Sequence, residues 1–210
     1  MPDHPASTPV RLGALLWLLL PLTVAAEVVA AAAWPGYDPF ALTISDLGAT
    51  TCVTLDYPAG PVDVCSPRHA LVNASFVAGG LALGTGALLL RPTLGTGGSA
   101  TAALVLFLLA GASWGAAGVV PVDADLTLHA ALAFPAFCAQ SAALVVLGRS
   151  RDRFGFGTLR VGLLTLLATI ATLVFAGSGY LGGLERLAQY PVLAWLAWHG
   201  VRTLRASADA

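Results

Sequence analysis

A small set of ionisable and polar side chains stands out in this sequence because almost everything around them is apolar. The stretch VVPVDADLTLHA, residues 119–130, places Asp123, Asp125 and His129 close together. Histidine titrates near neutrality, so a histidine beside carboxylates has the parts of a general base or of an open metal site. The other candidates for such chemistry are Glu27, Asp46, His69, Asn73, Glu185, Arg186 and Gln189.

The composition shows what kind of protein must position these side chains. The chain has 210 residues, of which 57% are hydrophobic and 10% are charged, and its mean hydropathy is +0.82. Soluble domains carry roughly 25% charged residues, so the surplus apolar surface of this chain must face lipid. The net charge is −1 and there is no basic run, so we expect no nucleic-acid partner.

Six segments are long and apolar enough, or nearly so, to cross a bilayer as helices, which takes about 20 residues each. They cover residues 12–33, 69–90, 101–121, 128–147, 161–179 and 187–204. The first is longer than the roughly 7–15 residues of a signal-peptide core and contains Glu27, so we expect it to remain as an uncleaved span. The predicted fold is all-α, a single integral membrane domain over residues 1–210 with six transmembrane helices.

The arginines orient this bundle. Lys is absent, and the ten Arg divide eight to two between the two sides. The positive-inside rule puts the larger group in the cytoplasm. Both termini are then cytoplasmic, and the protein is expected to be a multi-pass protein of a bacterial plasma membrane with residues 34–68 as a long outer loop. The inner group is Arg11, Arg91, Arg149, Arg151, Arg153, Arg160, Arg202 and Arg205, and the outer group is Arg68 and Arg186.

The outer loop contains two of the three cysteines. Cys52 and Cys65 lie 13 positions apart on the oxidising side of the membrane, where a disulfide would contribute about 3 kcal/mol in the chain-entropy model. Free or metal-binding thiols are the alternative. Within the helices, the pairs Gly80 with Gly84 and Gly111 with Gly115 have the spacing that lets helix backbones approach closely in lipid.

The candidate polar residues all fall in the outer third of the predicted bundle, where we expect them to line one outward-facing pocket. Glu27 lies about seven residues before Trp34, hence roughly 10 Å down the helix. A carboxylate at that depth needs a partner or a proton, and Arg186 is the natural counter-ion. The alternatives are that Asp123 and Asp125 cap the fourth span and that His69 and His129 are interfacial anchors.

Four short stretches share a pattern with a known family. They are YDPFALTISDLG (37–48), NASFVAGGLALG (73–84), GVVPVDADLTLHA (118–130) and GLERLAQYP (183–191). With them the chain resembles the domain-of-unknown-function 998 family of multi-span membrane proteins. The resemblance implies a six-helix bundle with no established activity, and it implies family motif positions at Ser45, Asp46, Asn73, Asp123, His129, Glu185 and Arg186.

Three functions remain open at this point. The first is a non-catalytic protein whose outer pocket binds a lipid headgroup or a membrane-protein partner. The second is a membrane-embedded hydrolase or transferase acting on an outer-leaflet lipid, with His129 or His69 as base or metal ligand beside Asp123 and Glu185. The third is a small proton-coupled transporter in which Glu27 titrates. The sequence contains no HExxH, GxSxG or CxxC motif, so we predict no cofactor and no metal site.

Overall fold

The computed structural model describes residues 7–58, 60–150, 154–176 and 178–206. Two of the eight arginines in the predicted inner group, Arg151 and Arg153, lie outside the described residues. The fold is mostly helical, as the sequence predicts. Its helices are α1 (Thr8–Leu19), α2 (Leu22–Ala33), α3 (His69–Leu89), α4 (Gly97–Val119), α5 (Leu126–Arg149), α6 (Gly155–Val174) and α7 (Leu181–Ala206).

Within the described residues, five helical stretches are long and apolar enough to cross a membrane. They are Thr8–Ala33, which joins α1 and α2, and the four helices α3 to α6. The break between α1 and α2 falls at Pro21, which has no N–H to continue the helical ladder, and the Thr23 hydroxyl donates to the Leu20 carbonyl there at 2.8 Å. The helix α7 has 26 residues but is more polar than these five, because Glu185, Arg186 and Gln189 all lie in its first half.

The helices form one bundle with a buried apolar core. Consecutive helices from α3 to α7 pack against each other, and α1 closes the bundle against α3 and α7. Trp17 of α1 is fully buried in the centre, where its indole N–H donates to the Leu83 carbonyl at 3.1 Å. The start of α1 lies against Leu90, and Thr93 hydrogen-bonds His199, so α1, α3 and α7 meet at the end of the bundle that the sequence predicts to be cytoplasmic. We call this the inner end and the opposite end the outer end.

The contact between α3 and α4 depends on its glycines. A Cβ atom on Gly111 would lie 2.6 Å from the Gly80 carbonyl oxygen and 2.9 Å from the Gly84 amide nitrogen. The two backbones are therefore in direct contact, as the four-residue spacing of small residues indicates. This close contact places the outer end of α4 beside Asn73, near the polar residues.

The long outer loop contains regular structure that an all-α prediction misses. Strands β1 (Val53–Tyr57) and β2 (Gly60–Val64) pair antiparallel, with Val53 opposite Val64. The alternation of apolar and polar residues accounts for the hairpin, since Leu55 and Val64 are buried while Thr54 and Asp63 face solvent. A disulfide joins Cys52 to Cys65 at the base of the hairpin, with their Cα atoms 4.2 Å apart.

We expect Gly111→Ala to lower the melting temperature of the purified protein in detergent, because overpacking of this kind costs about 1–3 kcal/mol. Gly115→Ala is the matched control. It adds the same methyl group to the same helix, but its nearest neighbour, the Val77 carbonyl oxygen, is 3.9 Å away. Equal melting temperatures for the two variants would contradict the close contact of α3 and α4.

Candidate functional site

The mouth of the bundle at the outer ends of the helices is occupied by part of the outer loop. Residues 43–49 turn inward, and Ser45–Gly48 form a short 3-10 helix in which every residue is buried. Leu47 and Ala49 are fully buried, and Asp46 is 1% exposed. We call residues 43–49 the inserted segment. It occupies the space where the sequence predicts an outward-facing pocket.

An ion pair of Glu27 and Arg186 lies beneath the inserted segment. The Arg186 Nε donates to Glu27 Oε1 at 2.8 Å, and both side chains are close to fully buried. The second carboxylate oxygen of Glu27 accepts from the Tyr190 hydroxyl at 2.7 Å. Both oxygens of this carboxylate are therefore occupied, so the buried charge is compensated.

Arg186 also holds the loop. Its Nη1 donates to the carbonyls of Pro39 at 2.6 Å and Leu42 at 3.0 Å, and its Nη2 donates to the Tyr37 hydroxyl. Tyr37 in turn donates to the Thr43 carbonyl at 2.7 Å. One guanidinium thus connects α2 and α7 to the chain just before the inserted segment, using several of its five N–H donors.

Two further side chains satisfy the backbone of the inserted segment from neighbouring helices. Glu185 accepts from the Ile44 N–H at 2.6 Å, and Asn73 donates to the Gly48 carbonyl at 2.8 Å. Ser66, beyond the hairpin, donates to the Leu47 carbonyl at 2.6 Å. Unpaired backbone groups in such an apolar place would cost several kcal/mol each, so these contacts hold the segment in position.

Asp46 lies within the inserted segment and is bound by the loop itself. Its carboxylate accepts from the Thr43 N–H at 2.7 Å and from the Tyr57 hydroxyl at 2.6 Å. Burial raises the pKa of Asp46 above its ordinary value, against the opposing effect of these hydrogen bonds. Burial, and then the neighbouring Asp46 carboxylate, raise the pKa of the Tyr57 phenol. The pair connects the hairpin to the inserted segment.

Ser45 and His129 form a different kind of contact. His129 is 3% exposed, and its Nε2 lies 2.9 Å from the Ser45 Oγ. Its Nδ1 lies 2.6 Å from the Val120 carbonyl oxygen, which can only accept a hydrogen bond. In the neutral imidazole the proton is therefore on Nδ1, and Nε2 carries the lone pair that accepts from the serine hydroxyl.

The two aspartates before α5 have separate roles. Asp125 is the N-cap of α5 and accepts from the Leu128 N–H at 2.9 Å. Asp123 instead accepts from the backbone and hydroxyl groups of Thr50 and Thr51, at 2.8–2.9 Å. Partial burial works against the Asp123 charge, but these hydrogen bonds outweigh it and lower the pKa of Asp123. Asp123 thus ties the short α4–α5 connection to the loop.

Three predicted site residues make their contacts elsewhere: Asp125 caps α5, His69 lies beside the disulfide, and Gln189 lies in the bundle interior below the inserted segment. The His69 Nδ1 lies 3.0 Å from the Ser66 carbonyl oxygen, and its side chain lines a surface cavity of about 600 Å³ beside the disulfide. Gln189 hydrogen-bonds Gln140 in the interior of the bundle. The structure therefore brings Glu27, Asp46, Asn73, Asp123, His129, Glu185 and Arg186 around the inserted segment, and the main contributors that side-chain charge did not single out are Tyr37, Thr43, Tyr57 and Tyr190.

A groove of about 460 Å³ begins at the inserted segment and lies between the first half of α5 and the last turn of α6. Its walls are mostly apolar, with Phe134, Phe137 and Leu173 among them, and Leu173 is 59% exposed. Its polar end is lined by Ser45, Asp56, Tyr57, His129 and Glu185. A second cavity of about 30 Å³, the size of a water molecule, lies under the inserted segment between Glu27, Ser45 and Gln189.

The described residues contain no group of three or more His, Cys, Asp and Glu side chains arranged to hold a metal ion. A family model described as "Protein of unknown function (DUF998)" matches residues 18–202. No curated protein and no solved structure matches the chain.

We expect Glu27→Ala and Arg186→Ala each to destabilise the protein by about 3–5 kcal/mol, because each leaves a buried charge without its partner. Arg186→Ala should cost more, since it also removes the donors to Pro39 and Leu42. In a double-mutant cycle measured by thermal unfolding in detergent, the two effects should be non-additive by about 0.5–3 kcal/mol.

Arg68 provides the control for this cycle. It is the other arginine at the outer end and is exposed, so Arg68→Ala combined with Glu27→Ala should be additive. Additivity of Glu27→Ala with Arg186→Ala would instead mean that the two side chains do not meet.

Proposed function

The chain belongs to the DUF998 family of proteins of unknown function, and we propose that this member is an integral membrane protein that holds a membrane lipid in the groove between α5 and α6. The observation that carries the proposal is the groove itself, which combines mostly apolar walls with a polar end. Binding sites for amphipathic ligands have this division between an apolar body and a few convergent polar groups.

The proposal includes α7 as a sixth transmembrane helix. Its polar residues Gln189 and His199 are buried in the bundle, whereas the outward-facing positions of its central part include Leu187 and Trp198. A helix that turns its polar side chains to the protein and its apolar ones outward suits a lipid environment. With α1 and α2 as one span, the two termini are then on the same side.

The arginine distribution supports a cytoplasmic location for both termini. Within the described residues, Arg11, Arg91 and Arg160 belong to the inner end of the bundle together with Arg149, Arg202 and Arg205, while Arg68 and Arg186 belong to the end with the hairpin. The membrane is the bacterial plasma membrane, and the hairpin and its disulfide face the oxidising outer side. The groove then opens toward the outer leaflet.

The polar end of the groove selects the kind of headgroup. The described lining residues include the carboxyl groups of Asp56 and Glu185 but no Arg or Lys. A headgroup that donates hydrogen bonds, through hydroxyl or amine groups, suits this end better than a bare phosphate does. The acyl chain lies against Phe134, Phe137 and Leu173, where it replaces contacts with bulk lipid.

A lipid should remain with the protein through purification in mild detergent and appear as a defined mass increment in native mass spectrometry. Ala130→Trp, which places an indole on a lining residue of the groove, should reduce the lipid-bound fraction at least tenfold, or about 1.4 kcal/mol of binding free energy. Ala131→Trp is the matched control, since this neighbour on α5 is also exposed but does not line the groove.

Equal lipid retention by both tryptophan variants would contradict the proposed site. Co-purification of a protein partner in place of a lipid would contradict the proposed ligand.

The proposed orientation can be checked with cysteines placed at exposed positions in a Cys138→Ser background that keeps the disulfide. In intact cells a membrane-impermeant maleimide should label Ala124→Cys. It should reach Ser99→Cys and Arg205→Cys only after the cells are permeabilised. Outside labelling at position 205 would show that α7 does not cross the membrane, and outside labelling at position 99 would reverse the whole orientation.

A further inference from the structure

We propose that the chain cleaves the acyl ester of a membrane lipid, with Ser45 as the nucleophile and His129 as its general base. This inference rests on the proposed function, because the groove must bring the ester to the serine. The contact of Ser45 Oγ with His129 Nε2 at 2.9 Å is within the range that a nucleophile and its base require.

The imidazole of His129 is held in the tautomer that a base needs. The Val120 carbonyl lies 2.6 Å from Nδ1 and holds the proton on that nitrogen, so the lone pair of Nε2 points at the Ser45 hydroxyl. A base whose far side is held by a third group is the arrangement found in nucleophilic catalysis. The buried serines Ser66 and Ser113 differ, since they donate to main-chain carbonyls, which cannot take up a proton.

Ser45 is also held from both sides along the chain. Glu185 accepts from the N–H of Ile44, the preceding residue, at 2.6 Å. Asp46, the following residue, accepts from the Thr43 N–H and from the Tyr57 hydroxyl. Glu185 and Asp46 are therefore positioning residues, which fix the backbone so that the serine Oγ stays opposite the imidazole.

The reactive pair lies at the polar end of the groove. Ser45 and His129 both line it, and they are 9% and 3% exposed, so the groove is their route to a substrate. A lipid with its acyl chain between Phe134 and Phe137 would place its ester linkage, which lies between chain and headgroup, near this end. The substrate class is therefore an acyl ester of a membrane lipid.

The reaction runs in two balanced steps. The Ser45 Oγ attacks the ester carbonyl carbon while its proton passes to His129 Nε2, and the tetrahedral intermediate expels the lipid alcohol, which leaves with that proton. Water then attacks the acyl-serine, giving one proton through His129 back to the Ser45 Oγ and releasing a fatty acid. The sum is ester plus water giving carboxylic acid plus alcohol, and the site needs no other co-reactant.

A fluorophosphonate with a long alkyl chain tests the nucleophile on the full-length protein in mild detergent. The probe should form one adduct, which peptide mass mapping assigns to Ser45, and Ser45→Ala should abolish it. His129→Gln keeps hydrogen-bonding groups at that position but cannot accept the proton, so labelling should slow by about 10²–10⁴-fold. Release of 4-nitrophenol from 4-nitrophenyl palmitate should fall by a similar factor.

The control is Ser75→Ala, which removes a partly buried hydroxyl that donates to the Val72 carbonyl within α3 at 2.8 Å and does not contact the inserted segment, and it should label at the wild-type rate. Melting temperatures of all variants confirm that each is folded. If folded wild-type protein gives no adduct at Ser45, or if His129→Gln labels as fast as the wild type, the pair is only a structural link between the loop and α5.

Lipid retention measured on the same samples separates this inference from the proposed function. Retained lipid without labelling at Ser45 overturns the dyad and leaves the lipid-binding proposal standing. A different outcome is that Ser45 is labelled with no preference for a long alkyl chain and the protein retains no lipid. That outcome overturns both the groove as a lipid site and the lipid ester as substrate.

Discussion

The need to satisfy irregular backbone inside an apolar bundle is the constraint on which the rest of this structure depends. Residues 43–49 leave the outer surface and turn inward between the helices, where water cannot supply the missing hydrogen bonds. Glu185 and Asn73 supply them instead, each from a helix, and Arg186 binds the Leu42 carbonyl just before the segment. Since arginine brings a charge with its donors, Glu27 must lie beneath it as counter-ion, and Tyr190 completes the pair.

This constraint explains why several of the chain's few charged residues lie together at the bundle mouth. Most of the ionisable side chains near the bundle mouth bind loop backbone, and this requirement alone accounts for Arg186, Glu185 and Asp123. A structural role of this kind does not need a histidine. The Ser45–His129 contact joins a hydroxyl to a lone pair of an imidazole, and the same imidazole lines the polar end of the groove. In this contact the imidazole lone pair can accept the hydroxyl proton, a capacity that holding the loop does not require.

The inserted segment also divides the space near the mouth. On one side it closes the region above Glu27, leaving a cavity no larger than a water molecule. On the other side it forms the polar end of a groove whose apolar walls come from the first half of α5 and the last turn of α6. A single loop thus divides the mouth of the bundle into a small closed cavity and a groove with apolar walls and a polar end. The proton-carrier alternative receives less support from this arrangement, because both oxygens of Glu27 are hydrogen-bonded.

The sequence by itself determined the features that depend on local composition and short spacing. The apolar content and length of α1 to α6 indicate membrane helices, the glycine spacing indicates the α3–α4 contact, and the loop position of Cys52 and Cys65 indicates their disulfide. Arg186 could be assigned to Glu27 because few charges of opposite sign lie at that depth.

The tertiary structure alone decided the rest. Ser45 and His129 are 84 positions apart, and Ile44 and Glu185 are 141 apart. No periodicity in the sequence links residues so distant. The packing of the loop also distinguishes the two aspartates, since Asp123 binds the loop and Asp125 caps a helix.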